Sequence, residues 1–138
     1  MSMSPESRFV AGLLLVIIPT IQYGGYFLLQ SNTKLTAGYL DNTVRRNFFR
    51  AGHAHAGVLV LLALIAMQYV DMVAFGGGVK ALVRWLFFAA PLFISAGFFF
   101  SMLGPTQTKP NGFIALIYIG AVLLASAVLT LGIGLLMA

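Results

Sequence analysis

Four apolar stretches, near residues 9 to 29, 53 to 73, 83 to 103 and 113 to 137, each match the roughly 20 residues a helix needs to cross a bilayer. Charge or turn-forming residues bound each of them. In hydrocarbon every backbone N–H and C=O must be satisfied within the protein, so stretches of this length read as crossing helices. The chain is expected to be all-α, a single domain forming an integral membrane bundle of four helices. With 60% hydrophobic and only 8% charged residues it cannot cover a water-facing surface, which excludes a soluble function.

Arg8 ahead of an apolar run resembles the start of a signal peptide. The run continues through Tyr23, Gly24, Gly25 and Tyr26 with no clean cleavage site, and a retained helix is expected. The first connection, residues 30 to 50, is the only one long enough to hold structure of its own. Residues 43 to 49 suit either a short amphipathic helix in the interface or an ordinary solvated loop. Gly76-Gly77-Gly78 marks a flexible turn; Gly104-Pro105 and Pro110-Asn111-Gly112 bracket the third connection, with Asn111 placed to cap the fourth helix. Gly76 to Lys80 lacks the spacing of a phosphate loop and follows no strand.

The net charge is +5, with Glu6, Asp41 and Asp71 the only acids. The basic residues sit near span ends, which suits the lipid bilayer and its anionic headgroups rather than nucleic acid. Arg8, Lys80 and Arg84 fall on the side of the termini, against Lys34, Arg45, Arg46, Arg50 and Lys109 on the other. The positive-inside rule then favours a cell-membrane protein with both termini outside. The absence of cysteine removes disulfides, thiolate metal sites, iron–sulfur clusters and a cysteine nucleophile.

Within the spans, Ser126, Thr130 and Gly134 recur at helical spacing, as do Ala121 and Ala125, and offer a close-packing face for another membrane protein or a second copy. Pro19 and Pro91 should kink their helices and free carbonyls for Thr20, Gln22 or Ser95 to satisfy. The Phe98-Phe99-Phe100 run with Met102 reads as lipid-facing bulk.

Both histidines lie in Arg50-Ala-Gly-His-Ala-His-Ala-Gly57. Histidine is the commonest metal ligand and titrates near neutrality, so these two are the candidate cofactor or metal residues. Residues two apart on a helix point about 200° apart, and in a regular helix the pair cannot chelate one ion. His53 shares a face with Arg50, Gly57, Leu64 and Gln68, while His55 shares one with Phe48, Gly52, Leu59 and Tyr69. An extended backbone before Gly57 would instead let both hold copper or zinc at the membrane surface.

Ala54-His55-Ala56 at the head of an apolar helix resembles the second helix of subunit I of the haem–copper oxidases. The His-Ala-His pattern is also similar to that of small four-helix bacterial membrane proteins grouped loosely with that subunit. The resemblance covers about fifteen residues and implies an axial haem ligand at His55, or at His53 in a shifted register. The second axial ligand and the copper ligands have no counterpart here.

Three functions follow as expectations. The first is a small accessory or interaction protein in a larger membrane assembly or homo-oligomer, with no cofactor. In it the histidines bond loop backbone, lipid phosphate or Gln22. The second is a haem- or copper-binding protein using His53 and His55. The third is a small oligomeric transporter or channel, for which Asp71 is the nearest carboxylate to a span and a poor one. Catalytic residues are not expected, because paired acids and a nucleophile with its base are both lacking.

Overall fold

The computed structural model describes residues 3 to 34 and 39 to 138. Its elements are α1 (Pro5–Thr33), α2 (Thr43–Val70), α3 (Gly77–Phe100), a 3-10 turn (Gly112–Ile114) and α4 (Ala115–Leu136). All four helices are long and apolar enough to cross a membrane. The protein is an all-α four-helix membrane bundle, with no strand among the described residues.

Local chemistry sets the helix starts. Ser4 caps α1, its hydroxyl accepting from the Ser7 N–H at 3.1 Å, and Pro5 presets the first helical φ. Asn42 caps α2 by accepting from the Arg45 N–H at 3.0 Å. As a result α2 starts ten residues ahead of position 53, and residues 43 to 49 are its first two turns rather than a loop or a separate helix. Asn111, as its position suggested, caps the turn into α4 through the Phe113 N–H.

The helices alternate in direction. Ser4, Asp71 and Arg84 meet at one end, where Gly134 of α4 also packs on Phe75 and Val73, so both termini lie there. At the opposite, loop end, the Asn42 amide donates to the Gln107 carbonyl at 2.7 Å and Arg45 Nε to the Met102 carbonyl at 3.0 Å. α2 and α3 form the centre; α1 packs mainly on α2, α4 mainly on α3, and α1 and α4 do not touch.

The close helix contact uses glycines that the sequence reading passed over. A Cβ on Gly97 of α3 would lie 2.7 Å from the Ile117 backbone nitrogen, and one on Gly120 of α4 2.8 Å from that of Ile94. The Ser126, Thr130 and Gly134 face divides instead. Ser126 is exposed and Thr130 half-buried, while Gly134 is buried within the chain against Phe75, leaving no continuous three-residue face for a partner.

Apolar packing falls into two separate clusters. The larger, toward the termini, joins Val10, Leu14, Val60, Ala63, Met67, Val70, Val83, Phe87, Ala127 and Leu131. The smaller, at the loop end, joins Leu28, Tyr39, Phe49 and Met102, with Phe99 packed against it. The phenylalanine run is therefore mostly internal. Phe98 meets Phe48 and His55, Phe99 meets Phe49, and only Phe100 is exposed to lipid.

Candidate functional site

Between the two clusters lies the layer that holds His53. It sits ten residues into α2, about 15 Å below the helix start at 1.5 Å per residue, and its ring faces α1. α1 presents Gly24 and Gly25 there. A Cβ on Gly25 would come within 3.2 Å of His53 Cε1 and Nε2, and one on Gly24 within 3.5 Å of Nδ1. Two adjacent residues without side chains thus make room for the imidazole.

The ring lines two crevices that open on the surface of the bundle. One, of about 170 Å³, runs between α1, α2 and α3 and is lined by Thr20, Gly24, His53, Pro91, Ser95 and Phe99 among others. The other, of about 330 Å³, lies between α1 and α2 and is lined by Gln22, Gly25, His53 and Gly57 among others. Thr20 donates its hydroxyl to the Ile17 carbonyl at 2.7 Å rather than to the Leu15 carbonyl that Pro19 frees. The Ser95 hydroxyl, expected to satisfy a carbonyl freed by Pro91, is buried and has no partner among the described residues. Among the described residues no protein group hydrogen-bonds His53.

His55 points elsewhere. It is exposed, stacks on Phe98 with centroids 5.0 Å apart, and places Nδ1 2.7 Å from the Ala51 carbonyl. A carbonyl only accepts, so Nδ1 carries the proton and Nε2 faces outward. The helix is regular through the motif, and the extended backbone that would let both rings share an ion does not occur. Arg50 and Gln68 are exposed, and neither lines the crevices beside His53. Gln22 does come to it, across the second crevice.

A haem or metal ion on His53 fits this arrangement poorly. Among the described residues the crevices on either side of the ring are lined by no second His, Cys, Met, Asp or Glu side chain, whereas a bound metal needs several such ligands. A tetrapyrrole would need α1 to part from α2. Among the described residues no three His, Cys, Asp or Glu side chains gather to hold a metal. His55 offers one nitrogen and no second donor.

Asp71, a candidate for transport, is held in a polar latch at the terminal end. Its Oδ1 accepts from Arg84 Nη2 at 2.7 Å and its Oδ2 from the Ser4 N–H at 2.9 Å. Arg84 also donates from Nε to the Ser7 hydroxyl at 2.8 Å and from Nη2 to the Ser4 hydroxyl at 3.2 Å. Burial pushes the Asp71 carboxyl up. The Ser4 N–H, the Arg84 guanidinium and the two serine hydroxyls together outweigh it and hold the group below its ordinary value. Ser4, Ser7 and Arg84 were not singled out from sequence. The available signal was Arg84 itself, a charge among Val83, Trp85 and Leu86 that needs a partner in an apolar span.

No family model, curated protein or solved structure matches the chain. The fold places it in one class, a four-helix membrane protein, in which His53 lines crevices between α1, α2 and α3.

Proposed function

We propose that this protein is a membrane-embedded binding protein that takes a small lipid-soluble molecule, bearing a carbonyl or hydroxyl oxygen, into the cleft at His53. The observation that carries this reading is the break in packing. Apolar contacts fill the bundle above and below the His53 layer, while within it lie two crevices, an imidazole no protein group engages and a buried Ser95 hydroxyl without a partner. Buried polar groups are nearly always paired, and a ligand oxygen would pair these. Mostly apolar walls with a few convergent polar groups are the usual make-up of a small-molecule site.

The carrier reading lacks a free intramembrane carboxylate, because Asp71 is engaged by Arg84. Charge distribution supports a cell-membrane location with the arginine-rich loop end in the cytoplasm. The test is NMR of 15N-histidine-labelled protein in nanodiscs, titrated with a short-tailed benzoquinone and with decanol as probes. A saturable shift of the His53 resonance that leaves His55 unmoved, weakened by Ser95→Ala, is expected. No saturable shift with either probe, or equal movement of both histidines, would sink the reading.

A further inference from the structure

At the loop end, Tyr39 packs on Phe49 of α2 with ring centroids 6.2 Å apart, in the part of that helix that carries Arg45, Arg46 and Arg50. Arg45 is fully engaged: it donates to the Met102 and Leu103 carbonyls at 3.0 and 3.3 Å and covers the Phe49 ring at 4.6 Å. Arg46 and Arg50, one turn apart on a shared face, are not. Arg46 reaches only the Leu40 carbonyl, from Nη1 at 3.5 Å, and its Nε–H is buried without a partner. Arg50 is exposed and enters no ion pair among the described residues.

Tyr39 is 1% exposed, and its hydroxyl too is buried, with no partner among the described residues. The nearby Asn32 amide donates to the Leu28 carbonyl instead, at 2.7 Å. Burial raises the Tyr39 pKa, against the opposing charges of Arg50, Arg46 and Arg45 and the nearby Asn32 side chain. Asp41 is the acid of this segment; it is exposed and forms no ion pair with them among the described residues.

The Tyr39 hydroxyl and the Arg46 Nε–H, both buried without acceptors among the described residues, and the Arg50 guanidinium without a counter-ion there leave an anion-shaped deficit. Guanidinium forks match the oxygens of phosphate, and this end of the helices is the depth at which lipid phosphates lie. We infer that Arg46, Arg50 and Tyr39 form a binding site for a phosphate group, supplied by an anionic phospholipid headgroup or by a free phosphate.

The full chain in nanodiscs of phosphatidylcholine with phosphatidylglycerol, released into a native mass spectrometer, tests the site. Wild type should retain phosphatidylglycerol in preference to phosphatidylcholine. Arg46→Gln and Arg50→Gln should each cut retention at least tenfold and Tyr39→Phe by less, while Arg8→Gln at the opposite end leaves it unchanged. Displacement by millimolar inorganic phosphate would show that the site accepts free phosphate, and persistence would assign it to the lipid headgroup. Equal retention of both lipids with no phosphate adduct overturns the site, as does an Arg8→Gln loss equal to that of Arg46→Gln.

Discussion

Arg84 Nη2 stands 2.7 Å from Asp71 Oδ1, across a turn of 13 residues, with the guanidinium almost wholly buried. The same guanidinium holds the Ser4 and Ser7 hydroxyls, so one side chain ties the start of α1 to the α2–α3 connection. Removing one member of a buried pair strands the other, at a typical cost of about 3–5 kcal/mol. Asp71 keeps some exposure, so Arg84→Gln or Asp71→Asn should cost near the lower figure. In thermal unfolding in detergent, the Asp71→Asn, Arg84→Gln double variant should lose less than the two single losses combined. Strict additivity would mean that the contact contributes nothing.

Acid should weaken this latch. The Asp71 pKa is lowered on folding, so its contribution is fully present above the unfolded value of about 3.9 and is lost as pH falls through the depressed folded value. The melting temperature of wild type should drop over that acidic window by more than that of Asp71→Asn. Parallel curves for the two proteins would refute the assignment.

Glycine positions should separate sharply. Gly97→Ala and Gly120→Ala force a Cβ to 2.7 and 2.8 Å from backbone nitrogen of the facing helix, which cannot yield as a flexible side chain does. Overpacking of this kind costs roughly 1–3 kcal/mol. Gly12→Ala and Gly132→Ala meet nothing within 4 Å and should be neutral or stabilising, by up to about 1 kcal/mol, from helix propensity. Denaturation midpoints of the four variants in one detergent would decide it.

Ser95→Ala should leave the fold as stable as wild type, or more so by up to about 1 kcal/mol, because it removes a buried hydroxyl that has no partner. A loss of stability would show that the hydroxyl is bonded in the folded protein.

How much of this was legible in the sequence depends on the range of the signal. Four helices and a membrane environment follow from the length and polarity of the apolar runs, and the divergence of His53 from His55 follows from helix geometry. Residues 43 to 49 were ambiguous because their helical state rests on Asn42 capping and on Arg45 reaching carbonyls 57 and 58 residues away. The Ser126, Thr130 and Gly134 spacing was a sound packing signal, yet which helix meets which is a tertiary fact, and Gly97 with Gly120 took that role. The cleft itself was invisible in the sequence, since Gly24, Gly25, Thr20 and Ser95 acquire meaning only once α1 and α3 lie beside His53.

α1 is secured at both ends, and between them Val10, Leu14, Ile18 and Ile21 pack on the larger cluster, so the stretch facing His53, at Gly24 and Gly25, is the one without side chains of its own to pack. Its start is held by the latch, and Leu28 near its finish belongs to the loop-end cluster. Midway, Pro19 already lacks the N–H that would bond the Leu15 carbonyl, and two glycines follow five and six residues later. If the cleft takes up a molecule as proposed, the stretch from Pro19 to Gly25 is where α1 would give, since it lacks one backbone bond and carries two residues without side chains, while the latch at Ser4 lies more than three turns away.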